Sequence, residues 1–482
     1  MQKEKSIGRN ILIVVLILVT IASVCAGLFA WAKYQTTING TATGETAKWS
    51  FKVSDGDTST QEIEFPMTRK DNNTSVTEGK LAPGTYGELE IGIDATGTET
   101  SLTYVIEATM QNKPTNMKFY SDAERTQELT ILDNKFSKGG YMKLNEVGAR
   151  TEKIYWEWPF ETGTTTEEKT ANNKIDTEDS GKTMNMNITV TGRQVNGEPR
   201  LADLVQIGDY VNYDANSNGT YTFTSDDCTN LAGTSISATI STDEDFDSNA
   251  KSQWRVLSVD RKAGTVELMA VNHTVQLLTL DGINGFVNSD DVLKGISEIY
   301  GHGEGANGAR SMKIEDVERF SSYDKTTYVN DTYVYGDEKT FTSGTFVTQI
   351  RDDNQNVIGY TDEIVTASET NKVTMKNDFY KVMENVDKYF SEYIFDMLFM
   401  NNQDEEKNIY FLDSKNIANI GNSYTNYHIC IVNSDLLSGH WLFSSTGSTL
   451  KPSGAVLPVV SLNTNIQTSG QNADGVWQLK VD

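Results

Sequence analysis

Five groups of residues have types and spacing that suit chemistry. Asp214-Ala215-Asn216-Ser217-Asn218-Gly219 fits the first half of a calcium loop. There, alternating oxygen donors and a Gly turn wrap the ion. Its twelfth position is Ser225 rather than Glu, Asp226 follows, and no helical pattern flanks it, so an ordinary Asn/Gly turn is the better reading. His428 and Cys430 lie two apart and His440 ten further on, but zinc needs another ligand and suitable geometry. Cys228 and Cys430 are a disulfide candidate for an oxidising exterior, with two buried thiols as the alternative. His302, in Gly301-His302-Gly303-Glu304-Gly305, reads as an exposed loop residue. Trp156 and Trp158 share one face of a strand, which suits core packing or, more sharply, a sugar-stacking platform. No Ser/His/Asp order, Walker loop or dinucleotide fingerprint stands in a strand-to-helix context. No catalytic residue, cofactor or firm metal site is therefore assigned.

Composition narrows the setting. The chain has 482 residues, 41 Lys plus Arg against 67 Asp plus Glu, and a net charge of −26. That length accommodates two or three domains. Such acidity argues against a nucleic-acid partner, because phosphate recognition needs a basic surface. With only 3 Cys and 4 His, a disulfide scaffold or a large Cys/His metal framework is excluded. Abundant Gly and Tyr with few Pro is the composition of extracellular β-structure.

The beginning of the chain points to a membrane. Lys3, Lys5 and Arg9 precede an uncharged run of 21 residues, Ile11–Trp31. As a helix that run is about 30 Å long and spans a bilayer, with the basic end cytoplasmic. Small residues crowd its far end, and cleavage near Ala30 or Ala32 is favoured over a permanent anchor. Residues 1–32 are thus a signal peptide or signal anchor, and the rest is extracellular or held at the cell surface.

Two modules follow, 33–199 and 200–482. In the first, Lys48–Val53, Gln61–Phe65, Gly87–Asp94, Leu102–Met110, Lys153–Trp158 and Met184–Thr191 read as strands. Leu89, Ile91 and Ile93 alternate with polar or small neighbours, as do Met184, Met186, Ile188 and Val190. Many short strands without a long helical pattern predict a sandwich or jelly roll. The second module mixes elements. Leu204–Tyr213 reads as an opening strand, and Gln253–Val259 with Thr265–Val271 as a hairpin turning at Arg261–Gly264. Gly282–Gly285 reads as a turn and Ser289–Ile299 as a helix capped by Ser289. Thr345–Thr361 suits a hairpin around Asp352–Gln355. The apolar positions from Phe379 to Leu398 recur at helical steps, with Asp378 at the cap. Ile409–Leu412, Tyr427–Val432, Gly439–Ser444, Val456–Leu462 and Val476–Val481 close the module as strands.

Some of these segments resemble known families. Trp31-Ala32-Lys33-Tyr34, Ala47–Phe51, Leu81–Thr85, Tyr155–Pro159, Asn173–Thr177 and the Met184–Gly192 strand, in that order, resemble the TasA/camelysin-like secreted proteins of Gram-positive bacteria, substrates of a dedicated signal peptidase. The resemblance covers about 1–195. It implies a secreted jelly roll able to form biofilm fibres, in which a freed N-terminal strand completes a neighbour's sheet. Trp254–Asp260, Ala309–Asp316, Ile409–Ser414 and Leu457–Leu462 resemble a surface module of Gram-positive gut bacteria, with a C-type-lectin-like or formylglycine-enzyme-like α+β fold. Leu457 and Asp413-Ser414-Lys415 depart from it, each removing an Arg that the module usually carries. The expected chain is mainly β with an α+β C-terminal module. Its expected role is structural or adhesive, at the cell surface or in a biofilm matrix, with self-assembly through the N-terminal strand and a glycan or other surface ligand. A membrane-anchored carbohydrate- or peptide-binding receptor is the alternative, and a glycan-active enzyme with hidden paired carboxylates is the remote one.

Overall fold

The computed structural model describes residues 52–54, 67–322 except 164, 216–218, 228, 238–250 and 275, strand segments between 338 and 384, and 389–481 except 400–408, 421–423, 434–435 and 445–449. The apolar run 11–31, Ala30, Ala32 and the expected strand Gln61–Phe65 lie outside the described residues. Residues 49–482 form one compact unit, mainly β and built from several sheets.

Period-two alternation builds the first half. Its strands are β1 (Lys52–Ser54), β2 (Thr68–Arg69), β3 (Thr85–Asp94), β4 (Leu102–Gln111), β5 (Lys118–Tyr120), β6 (Lys135–Met142), β7 (Ala149–Trp158) and, after helix α1 (Thr166–Asp179), β8 (Asn185–Gln194). One sheet runs β1-β3-β7-β5 with β2 also on β3; a second runs β6-β4-β8. The inward residues of both form one core. Leu89, Ile91 and Ile93 of β3 meet Tyr104, Ile106 and Ala108 of β4 and Ile154, Trp156 and Trp158 of β7. On the outer side Glu88 accepts ion pairs from Lys70 at 2.9 Å and Lys153 at 3.0 Å, so even its buried carboxylate is compensated.

Helix α1 corrects the expectation that this half has no long helix. Its sequence, Thr-Glu-Glu-Lys-Thr-Ala-Asn-Asn-Lys-Ile-Asp-Thr-Glu-Asp, carries a single large apolar residue, so periodicity is silent. Local polar chemistry holds it instead. Thr165 and Glu168 form a reciprocal capping box. Two buried carboxylates then anchor the last turns. Asp176 accepts from Trp158 Nε1 at 2.8 Å and Asn116 Nδ2 at 3.0 Å; Asp179 accepts from Thr115 N at 2.6 Å and pairs with Lys182 at 2.7 Å.

The second half opens with helix α2 (Leu201–Leu204) and the two-residue strand β9 (Tyr210–Val211), not the ten-residue strand expected at 204–213. Gly208 at φ +87° breaks the extension, and Asp209 closes the turn by accepting from Gln206 N at 2.8 Å. Next come β10 (Thr220–Thr222), β11 (Ser235–Ser237), and the expected hairpin β12 (Trp254–Asp260) and β13 (Thr265–Ala270), turned by Gly264 at φ +75°. After β14 (Leu278–Thr279), helix α3 spans Gly282–Glu298. The expected turn at 282–285 is thus helical, and Ser289 is no cap. It is buried, and its hydroxyl donates to Phe286 O at 3.0 Å. A 3-10 turn over Ile299–His302, β15 (Ala306–Ser311) and helix α4 (Ile314–Glu318) complete this stretch.

Three nested strand pairs follow. These are β16 (Glu338–Phe341) with β21 (Val373–Lys376), β17 (Thr345–Phe346) with β20 (Val365–Thr366), and β18 (Gln349–Arg351) with β19 (Val357–Tyr360), the last being the expected hairpin. The long helix expected from Phe379 to Leu398 is replaced by β22 (Met383–Glu384) and the short helix α5 (Glu392–Phe399). Asp378 lies outside the described residues. Pairing of β22 with β25 (Leu436–Ser444) overrides the local periodicity. The remaining strands are β23 (Tyr410–Ile420), β24 (Tyr424–Asn433), β26 (Ser453–Val456), β27 (Pro458–Leu462), β28 (Gln467–Gln471) and β29 (Trp477–Lys480). They complete a sheet ordered β15-β27-β13-β12-β9-β29-β28 and another ordered β14-β26-β23-β24-β25-β22. Leu457, fully buried, is the pivot at which the chain leaves one sheet for the other. One apolar cluster joins both sheets to α3 and α5.

The two halves meet where the turn after β12 reaches the first sheets. Arg261 donates to Ser137 Oγ at 3.0 Å, Ala202 O at 2.5 Å and Val205 O at 2.8 Å. Gly139 of β6 lies so close that a Cβ there would stand 1.9 Å from Asp203 O.

Candidate functional site

The polar face of α3 forms the floor of a cavity of about 400 Å³, with β10 and the 3-10 turn as its walls. Val292, Leu293 and Ile296 turn inward and are buried. Asp291, Lys294, Gly295 and Glu298, at helical spacing on the other side, line the cavity together with Tyr221 and His302. Gly295 has a steric role. A Cβ on it would sit 2.4 Å from Tyr221 Cε2, so glycine lets the phenol ring lie against the helix. The ring meets Phe223 edge-on at 5.1 Å, and its hydroxyl donates to Asp227 Oδ1 at 3.2 Å. Burial, then the nearby Asp227 carboxylate, pushes the Tyr221 phenol well up, so it stays protonated and a donor. Lys294 and Glu298 pair at 3.5 Å on the surface, worth little to stability and open to a ligand.

This groove joins two of the sequence candidates. Gly219 closes the Asp214 loop against His302, a Cβ there being 3.4 Å from His302 Cδ2. Tyr213 fastens the join: its hydroxyl donates to Tyr300 O at 2.6 Å and accepts from Gly303 N at 3.0 Å. At Gly303 a Cβ would stand 2.0 Å from Asp214 O, so Gly303→Ala should displace the loop from the turn. The expected result is a loss of about 1–3 kcal/mol with faster proteolysis near residue 215, read by urea melts and timed digestion. Asn216 and Asn218 lie outside the described residues. Among the described residues no three His, Cys, Asp or Glu side chains cluster as a metal site would require.

The other candidates separate. Antiparallel register sets His428 opposite Trp441 and Ile429 opposite His440. His428 and Cys430 therefore share one face of β24, while His440 shares the other with Ile429, and a His/Cys/His set is not assembled. Cys430 is fully buried; Cys228 lies outside the described residues, and with it the disulfide candidate. Trp156 and Trp158 are core residues, 0% and 4% exposed, so they offer no sugar platform.

Two charged clusters were not foreseen. Arg310 bridges Glu267 Oε2 at 3.1 Å and Asp316 Oδ1 at 2.9 Å. Lys415, in the segment that lacks the expected Arg, still delivers a buried cation. Its Nζ pairs with Asp290 at 2.8 Å and donates to Val287 O at 3.2 Å, tying β23 to α3. Asp413, hydrogen-bonded to Asp290 and 3.8 Å from Lys313 Nζ, is pushed up to about 7 by burial and then by the Asp290 charge. A raised carboxyl holds in the folded state a proton that the unfolded chain has lost. Its contribution therefore falls as pH rises from near 3.8 through about 7. Wild type should lose on the order of 1 kcal/mol more than Asp413→Asn between acid and mildly alkaline buffer. Parallel urea melts check this, and equal losses in both proteins would refute it.

The groove-lining residues carried one sequence signal, the spacing of Asp291, Lys294, Gly295 and Glu298 opposite an apolar stripe. Tyr221 carried none, because only the tertiary fold brings it to Gly295. An aromatic ring ringed by carboxylates, an ammonium and an imidazole can stack on a sugar or apolar face and hydrogen-bond its hydroxyls or amides. No protein-family model, curated protein or solved structure matches this chain.

Proposed function

We propose that the chain is an exported bacterial cell-surface or biofilm-matrix protein with a structural and adhesive role, and not an enzyme. On this reading residues 33–199 are a jelly-roll-like sandwich and 200–482 a C-type-lectin-like module. The observation that supports it is the edge strand β8. Its ten residues pair, among the described residues, with β4 alone. Met186, Ile188 and Val190 are half-buried on the side where Ile106 and Ala108 of β4 are fully buried. A long, regular, partly covered edge is suited to receiving a strand from a second copy. Electron microscopy of matured protein with and without residues 31–48 tests this. Fibres are expected only with the strand present, and identical monomers in both samples would remove assembly from the reading. Sustained turnover of a glycan by the purified protein would overturn the non-enzymatic assignment.

The α3 groove favours a second reading, a membrane-anchored carbohydrate- or peptide-binding receptor. Here an intact Met1–Trp31 segment is expected in the surface form by N-terminal sequencing. Tyr221→Ala should lower glycan-array or peptide-array signals about tenfold, equivalent to the loss of one aromatic stacking contact. Array signals unchanged in that variant would remove the groove from the reading.

A further inference from the structure

The junction between the two halves holds a second cavity system. One cavity of about 390 Å³ and an adjoining one of about 230 Å³ share Glu107 and Arg261. The smaller is lined from the first half by Thr103, Glu107, Thr191 and Arg193, and from the second by Arg261 and Lys262. A carboxylate, Asp203, also borders it but is already committed. Arg200 grips both of its oxygens, and Thr103 Oγ1 donates to it at 3.0 Å. Arg193 reaches Asp203 only with Nε at 3.9 Å, so four cations, Arg193, Arg200, Arg261 and Lys262, stand against two carboxylates, Asp203 and Glu107. On a chain of net charge −26 this is a local reversal of sign.

The hydrogen-bond inventory points the same way. A guanidinium has five N–H donors, and three of those on Arg261 go to Ser137, Ala202 and Val205. The other two make no hydrogen bond among the described residues, and Arg261 lines both cavities. Burial lowers the Arg261 guanidinium to about 10 even though Asp203, Glu107 and Asp209 act against it, and burial with repulsion from Arg200 lowers Arg193 against Asp203. Glu107 adds an acceptor and Thr191 a hydroxyl. An oxyanion would meet the cations, and hydroxyls on the same molecule would meet Glu107 and Thr191.

We infer that the junction groove is a binding site for a polyhydroxylated oxyanion, a sugar acid or a polyol phosphate, held by Arg193, Arg261 and Lys262. It is separate from the α3 groove and does not depend on what that groove binds. Because half of its wall comes from each module, occupancy would also brace the junction.

Isothermal titration of the full chain with glucuronate, glycerol phosphate and glucose tests this. At least one of the two anions should bind saturably and glucose should not; which anion binds identifies the source of the oxyanion. Arg193→Gln with Lys262→Gln, both at the solvent side, should weaken the anion at least about tenfold, while a charge-matched control at exposed positions outside the lining, Lys174→Gln with Lys451→Gln, leaves it unchanged. Circular dichroism melts of the double variant separate lost binding from lost folding. If it melts like wild type and binds the anion equally well, the site is refuted. Failure of both anions to saturate, or glucose binding as tightly as they do, refutes it too. Should the double variant melt early, Arg193→Lys, which keeps the charge, must restore the wild-type melt and leave the anion within a few-fold of wild type; binding lost there as well refutes the site.

Discussion

Replacing Asp203 with alanine should destabilise the protein by about 3–5 kcal/mol, the usual consequence of removing one partner from a buried ionic cluster. Asp203 is 2% exposed, and its two oxygens accept from Arg200 Nε at 3.1 Å, from Arg200 Nη2 and from Thr103 Oγ1, with Arg193 Nε at 3.9 Å. Without the carboxylate, Arg200, Arg193 and Arg261 would face one another across a partly dry junction. Asp203→Asn keeps the shape and two acceptor contacts but not the charge, and should fall between. A double variant, Arg200→Met with Asp203→Leu, removes charge and counter-charge together and should recover much of the loss. Urea melts of wild type, Arg200→Met, Asp203→Leu and the double variant give the cycle. Wild-type stability in Asp203→Ala would mean that this cluster does not hold the halves together.

That junction shows where sequence reading stops. Thr103 and Asp203 are 100 residues apart, and neither belongs to a motif. Strands with one apolar face were legible, because alternation reports burial directly: Leu89, Ile91 and Ile93 of β3 are buried as expected. So was the hairpin β12–β13, whose Gly264 occupies the left-handed turn position that the pattern required. Elements held by polar contacts were illegible. Helix α1 rests on a capping box and two buried carboxylates, and neither alters hydrophobic periodicity. Between 379 and 398 the error had the opposite sign. A good helical stripe was present, yet β22 pairs with β25 and, among the described residues of that span, only those from Glu392 wind as a helix. At the α3 groove, Gly219 and His302 could be noticed separately, but their proximity depends on Tyr213 clamping Tyr300 and Gly303, a contact between segments 87 and 90 residues apart. The common cause is that spacing records which side chains are buried, and tertiary contacts decide what they are buried against.

Trp156→Ala should cost about 3–5 kcal/mol and abolish cooperative unfolding of the first half. The indole is fully buried at the centre of its sheet, opposite Gly87 on β3 and Phe119 on β5. A Cβ at position 87 would stand 2.7 Å from Trp156 Cζ2 and 1.9 Å from Thr68 O, so glycine there makes room for ring and backbone alike. No neighbour can grow inward to fill the void without moving β2, and the cavity term should be near the top of its range. The indole Nε1–H makes no hydrogen bond among the described residues. Trp156→Phe therefore sacrifices area and no partner, and it removes a buried unsatisfied donor that itself costs about 1–3 kcal/mol. The phenylalanine variant should stay within about 1 kcal/mol of wild type, far above the alanine variant. Equal losses in the two would show that the N–H, and not the ring volume, carries the contribution of Trp156. That outcome would require an acceptor for it on a segment outside the described residues.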